Sequence, residues 1–200
     1  MGIPVDRLTF VVLGDIDAPP AFGTTACHPL AAPRAGALYR ARVKAMCAAN
    51  TEFVCLLDGG GDILLPGFEA SVARRMEAMR RTGAAIGYAD EFTEDRQVAG
   101  GEFTLSAYLR HPLMMHHGVV CRTDAVKAID WPAGCHWFEA ACYGTLAQQG
   151  YVYDRAFVYD WRPSPNGARL WADTARGMHN SLRWLQGLPG MHFSSDFTDC

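Results

Sequence analysis

Asp58 and Asp62 are held apart by three glycines in the stretch TEFVCLLDGGGDILLPGF (51–68), where the apolar run EFVCLL (52–57) stops. Asp15 and Asp17 stand just past a second apolar run, LTFVVL (8–13). In an open α/β sheet, ligands gather at the carboxyl ends of the strands. Four carboxylates on one such rim suit a hard divalent cation, Mg2+ or Mn2+, and that ion in turn suits a diphosphate. Gly59, Gly60 and Gly61 would let a bulky ligand approach the backbone closely. The same residues also read as a glycine-rich turn whose aspartates cap the turn and the next helix. Spacing alone does not separate the two readings.

The elements that must position these residues alternate. LTFVVL reads as a strand, followed by a Pro-, Ala- and Gly-rich loop from Ala18 to about Gly36. ALYRARVKAMCAA (37–49) reads as a helix, and EFVCLL as a wholly apolar strand covered on both faces. Pro66 opens a helix with Phe68, Val72, Met76 and Met79 on one face. Arg74, Arg75, Glu77, Arg80 and Arg81 are assigned to its solvated side. Gly83 ends that helix and AAIGYA (84–89) resumes as a strand. This is the α/β pattern of helices packed on a sheet. Further on, FTLSAYLRH reads as a short helix, GVVCR (118–122) as a strand, and WFEAACYGTLAQQ (137–149) as a helix stopped by Gly150. YVYDRAFVYDW (151–161) reads as one or two strands, and a last helix runs from about Leu170 to Gln186.

The totals bound the function. The chain has 200 residues, which suits one domain, and a formal net charge of -3, which does not indicate a strongly basic nucleic-acid binder. Its seven cysteines are odd in number and form no C-x-x-C pair. With no signal peptide and no apolar run of membrane-spanning length, they read as reduced thiols in a cytoplasmic protein. His116, His117, Cys121, Cys135 and His136 match no structural zinc spacing.

The stretch ARVKAMCAANTEFVCLLDGGGDILLPGFEASV resembles the central signature of the GT-A-fold, family-2-like glycosyltransferases. Ala41-Arg42 stands where that family opens a helix with Ala-Arg-Asn, Ala49 closes the helix, and Glu52-Phe53 begins the strand. Asp58, sixteen residues after Arg42, stands at the first aspartate of the Asp-x-Asp motif. Aligning Gly150-Tyr151 on a later Gly-Tyr puts Glu139 at the family's helix-start carboxylate. The likeness covers roughly residues 37–165. It departs at Gly60, where the second motif aspartate is missing, at Val43 in place of Asn, at Glu139 in place of Asp, and in a short N-terminal half.

The resemblance implies a single GT-A-like, Rossmann-like mixed sheet flanked by helices over residues 1–165, with a shortened nucleotide-binding half. Residues 166–200 would form a C-terminal helix and tail. It implies transfer of a sugar from a nucleotide-diphospho-sugar, a UDP-sugar, to an acceptor hydroxyl with inversion. Glu139 would be the base. Asp15, Asp17, Arg42, Asp58, Arg162 and Arg169 would hold the donor, and Asp58 with Asp62 the metal. His117 would line the acceptor pocket, and Trp137 would stack on a sugar or pack in the core. Three rivals stand beside this. A nucleotidyltransferase would want a basic, glycine-rich loop where GDIDAPPAFG is acidic. A degenerate module would bind a nucleotide or glycan without turnover. A transferase acting on a modified nucleic-acid base would need Arg34, Arg40, Arg42 and the arginines at 74–81 in one patch.

Overall fold

The computed structural model describes residues 7–14, 20, 22–28, 35–58, 62–92, 98–111, 114–116, 118–131, 137–161 and 182–187. Its frame is an eight-stranded mixed sheet: β1 (Leu8–Leu13), β2 (Thr24–His28), β3 (Phe53–Asp58), β4 (Asp62–Leu64), β5 (Ile86–Phe92), β6 (Val98–Ala99), β7 (Val120–Arg122) and β8 (Tyr151–Trp161). The order is β2-β1-β3-β7-β5-β8-β4, with β6 pairing to β5. β1 runs parallel to β2 and β3, β7 is antiparallel to both β3 and β5, and β5 is parallel to β8. Hence β1, β3, β5 and β8 all point the same way and end on one rim.

Strand periodicity sorts the apolar residues onto two faces. Val54 and Leu56 of β3, with Val11 and Leu13 of β1, join the core cluster that also holds Tyr39 and Met46 from helix α1 (Ala35–Ala48). Phe53, Cys55 and Leu57, with Leu8, Phe10 and Val12, meet Phe68, Val72, Met76 and Met79 of helix α2 (Phe68–Thr82). The wholly apolar β3 is therefore covered on both sides, as its composition predicts. Helices α3 (Leu105–Arg110) and α4 (Thr123–Lys127) are short. A π-helical turn, Ala140–Gly144, runs into α5 (Thr145–Gln149) on the α1 side.

Several elements differ from the sequence reading. The segment assigned to a loop holds β2, so two strands rather than one precede α1. β2 is a half-exposed edge strand of Thr, Ala and Cys with no apolar run to announce it. α2 starts at Phe68, two residues beyond Pro66, because Gly67 sits in the left-handed region at φ 92°. Gly83 closes it as expected, with φ 75° and its N–H donating to the Met79 carbonyl at 2.9 Å. Arg75 is buried rather than solvated. It falls three residues after Val72 and four before Met79, which is the inward stripe of the helix. Its guanidinium donates to the carbonyls of Gly118 at 2.7 Å and Gly87 at 3.2 Å. Burial lowers its pKa to about 10. The 137–149 helix contains the π turn, and 151–161 is one strand whose pairing shifts register around Asp90. Of the last helix, Leu182–Leu185 is described, and Leu185 packs in the core against Gly144.

Candidate active site

Connectivity fixes which end of each helix meets the rim. α1 leads through residues 49–52 into the start of β3, so its N-terminal end lies toward Asp58. Gly150 lies at the opposite edge, where its carbonyl accepts from Ala85 N–H at 3.0 Å. Glu139, eleven residues earlier, is thus carried about 16 Å back toward the rim.

The two helices converge on one buried ion pair. Arg42 Nη1 donates to Glu139 Oε1 at 2.6 Å. The Arg42 side chain is 11% exposed and that of Glu139 2%. Aromatic packing sets this meeting. Tyr39, one turn before Arg42 on α1, packs edge-on against Trp131. Trp131 stacks on Phe138 at 5.7 Å, and Phe138 meets Tyr143 edge-on. Arg42 occupies the buried stripe Tyr39, Ala45, Met46 and Ala49, where the helix pattern calls for an apolar side chain. His116 Nε2 lies 3.9 Å from the same Glu139 oxygen, too far for a hydrogen bond but close enough for a charge contact when protonated.

The surroundings are dry. Burial, with the Glu139 charge as a second cause, pushes the Tyr108 phenol well above its ordinary pKa. Burial also pushes up Tyr143 and Cys142. Glu139 Oε2, Tyr108 Oη and Tyr143 Oη have no hydrogen-bond partner among the described residues. A buried carboxylate oxygen left without a donor is costly unless water or a substrate supplies one. π turns of this kind recur beside functional groups, since the extra residue re-aims a helix face.

Of the carboxylates expected to face a donor, Asp58 and Asp62 are described through the backbone. Asp58 ends β3 level with Leu13 of β1; Asp15 and Asp17, two and four residues further along the sequence, lie outside the described residues. Asp62 opens β4 and pairs with Trp161 of β8. Along the sheet β4 is four strands from β3, which a flat sheet would set about 19 Å apart. Three intervening residues allow at most about 14 Å between the Asp58 and Asp62 Cα atoms, so the β8–β4 edge must curl over the rim. Both side chains are oxygen donors of the type Mg2+ and Mn2+ take, and the donor set fits such an ion. Among the described residues, no three His, Cys, Asp or Glu side chains gather into a metal cluster.

Of the other sequence candidates, Trp137 is buried in the α1-side core. His117, Arg162 and Arg169 lie outside the described residues. Sequence reasoning missed His116 as the Glu139 neighbour, because no local pattern ties it to a carboxylate so far along the chain. It also missed Asp90 and Glu91, both buried at the carboxyl end of β5. Tyr153 donates to Asp90 Oδ1 at 2.5 Å. Burial and this bond push the Tyr153 phenol up to about 12. Their signal was the rule applied to Asp58: carboxylates directly after an apolar strand.

Four of the arginines that a nucleic-acid acceptor would call on are engaged within the fold. Arg42 and Arg75 are buried, Arg74 pairs with Asp154 at 2.8 Å, and Arg80 pairs with Glu52 at 2.6 Å. No described helix is long and apolar enough to cross a membrane.

This sheet order with its flanking helices is the GT-A-like, nucleotide-diphospho-sugar transferase fold. The chain superposes on TarS 1-349 from S. aureus, solved in complex with UDP, with a TM-score of 0.56 and 12% identity, over 88% of this chain and 65% of that one. It also superposes on glucosyl-3-phosphoglycerate synthase from Mycobacterium tuberculosis, solved with Mn2+, uridine-diphosphate-glucose and phosphoglyceric acid. There the TM-score is 0.54 and the identity 12%, over 94% of this chain and 83% of that one. The chain thus spans less than two thirds of the TarS fragment. No protein-family profile and no curated protein sequence matches it.

Proposed function

We propose that this protein is a cytoplasmic glycosyltransferase similar to family 2, moving a sugar from a UDP-sugar to an acceptor hydroxyl with inversion. The observation that carries the reading is Glu139. It is a carboxylate inside a GT-A-like fold, fixed through one oxygen by Arg42, with the other oxygen free of partners among the described residues. The UDP and UDP-glucose bound in the two similar structures support the donor class.

The acceptor oxygen attacks the anomeric carbon from the face opposite the diphosphate. The new C–O bond forms as the bond from the anomeric carbon to the phosphate oxygen breaks, and UDP leaves with that electron pair. Glu139 Oε2 takes the acceptor's proton as the oxygen attacks. Asp15, Asp17 and Asp58 bind the nucleoside and ribose side of the donor, and Arg42 faces the diphosphate from α1. Arg162, Arg169 and His117 are candidates for closing over donor and acceptor. Asp58 and Asp62 would hold Mg2+ or Mn2+, which when bound neutralises charge on the diphosphate.

The burial of Glu139, together with Gly60 at the second motif position, favours a second reading: a module that holds a nucleotide or glycan without turnover. Calorimetric titration with UDP and UDP-sugars, with and without Mn2+, tests the first part, and absence of all nucleotide binding defeats both transferase and nucleotide module. UDP-sugar hydrolysis that disappears in Glu139→Gln while UDP binding persists identifies the enzyme. Binding with no hydrolysis and no transfer in the wild type identifies the module.

A further inference from the structure

We propose that Arg42 is shared between Glu139 and the donor's diphosphate. Without nucleotide it clamps the carboxylate; with nucleotide it passes to the phosphates and leaves Glu139 able to take a proton. This rests on the donor and base assignments proposed above.

Three features lead to it. First, Arg42 lies about 10 Å along α1 from Ala35, and helical side chains lean toward the helix N-terminus. Its guanidinium therefore reaches from mid-helix toward the rim where β3 ends in Asp58. Second, exposure is unequal within the pair. Arg42 is 11% exposed, whereas Glu139 in this state is only 2% exposed. Exchange of partners thus falls to the long, flexible arginine, while Glu139 stays fixed by the Trp131–Phe138–Tyr143 packing. Third, parting a nearly buried guanidinium from a carboxylate is costly, so the ligand best suited to draw it from Glu139 is itself anionic and able to accept more than one hydrogen bond. A diphosphate meets both conditions, and a nucleoside, being uncharged, fails the first.

The consequence is a linkage. Carboxylate and diphosphate compete for one cation, so weakening either contact strengthens the other. The transferring base is then released only when the leaving group is in place, which protects the site from idle proton uptake.

The test is calorimetry of UDP and of uridine with the full chain, as wild type, Glu139→Gln and Arg42→Gln, each checked for a cooperative unfolding transition. Glu139→Gln keeps the shape but removes the charge that competes for Arg42. It is expected to bind UDP about tenfold tighter than wild type, and Arg42→Gln about tenfold weaker, with uridine affinity alike in all three. A purely structural Arg42–Glu139 clamp would leave UDP affinity in Glu139→Gln equal or lower, and that result overturns the coupling while leaving the transferase reading intact. No UDP binding by the wild type overturns the nucleotide reading and the coupling with it. Should Glu139→Gln not fold, carbodiimide labelling of Glu139 in the wild type, read by mass spectrometry, replaces it. Labelling should quicken at least threefold at saturating UDP, and an unchanged or slower rate refutes the exchange.

Discussion

Removing Arg42 while leaving Glu139 in place should be among the most damaging single changes in this chain. In Arg42→Met the Glu139 carboxylate, 2% exposed, loses its charge-assisted hydrogen bond, while its second oxygen already lacks a partner among the described residues. Breaking a buried pair on one side costs about 3–5 kcal/mol, because an uncompensated charge stays inside. Glu139→Gln should cost less, about 1–2 kcal/mol: the amide oxygen still accepts from Arg42, and the guanidinium can shift toward solvent. In the Glu139→Gln background no buried carboxylate remains to strand, so adding Arg42→Met should cost only about another 1–2 kcal/mol. The double-mutant cycle therefore predicts a coupling of about 2–3 kcal/mol. In urea, with a slope of about 2 kcal/mol per molar, Arg42→Met should move the midpoint down by about 1.5–2.5 M. A shift under about 0.5 M, or one identical in the wild-type and Glu139→Gln backgrounds, would mean that the pair is not buried as described.

Four further outcomes follow from the same structure. The apolar double swap Arg42→Met/Glu139→Met removes both charges at once and should match or exceed wild-type stability in urea, while abolishing UDP-sugar turnover. Gly144→Ala should lose about 1–3 kcal/mol by overpacking, since its Cβ would lie 2.6 Å from Leu185 Cδ2 and 2.8 Å from Tyr108 Cε1; Leu185→Ala should recover part of this in a thermal melt. The folded-state pKa of Tyr153 is raised to about 12 against an ordinary value near 10, so its contribution to stability is complete below about pH 10 and is lost as pH rises toward 12. Tyrosinate absorbance should accordingly lag behind that of free tyrosine until the chain unfolds. If Asp58 and Asp62 share one ion, Asp58→Asn and Asp62→Asn should each weaken Mn2+ binding in the presence of UDP by about tenfold, measured by electron paramagnetic resonance; an effect confined to Asp58→Asn would assign it a single carboxylate.

The frame of the fold was legible because it rests on burial. A strand as apolar as Phe53–Leu57 has one place to go, between two layers of helices, and both layers are there. β2, β4 and β6 were not legible because short edge strands need no apolar run; partners elsewhere in the chain decide them. Arg75 was misassigned because its charge was weighed above its position, although its spacing from Val72 and Met79 put it on the buried stripe. At the site, Arg42 and Glu139 were each visible as candidates, but their contact spans 97 residues and depends on how α1 and the π turn cross. No local pattern encodes that crossing. It is set by Tyr39, Trp131, Phe138 and Tyr143, which read in sequence only as scattered aromatics.

The rim poses an electrostatic problem that constrains any ligand. Asp58 ends β3, Asp90 and Glu91 lie buried at the end of β5, and β5 runs the same way as β3. In sequence, Asp15 follows β1 by two residues. An anionic diphosphate would be repelled from such an edge unless cations stand between, since like charges a few ångströms apart cost several kcal/mol at protein-like screening. The proposed site would offer two sources: a divalent ion on Asp58 and Asp62, and the guanidinium of Arg42. With Gly60 where the resembling motif has its second aspartate, the first source would be weaker and the second would carry more weight. Arg42 is bonded to Glu139, so under the proposed function donor binding on this rim would be linked to the state of Glu139. On the proposed reading, a chain with a full Asp-x-Asp could neutralise its donor without disturbing that pair, whereas this one would draw on it.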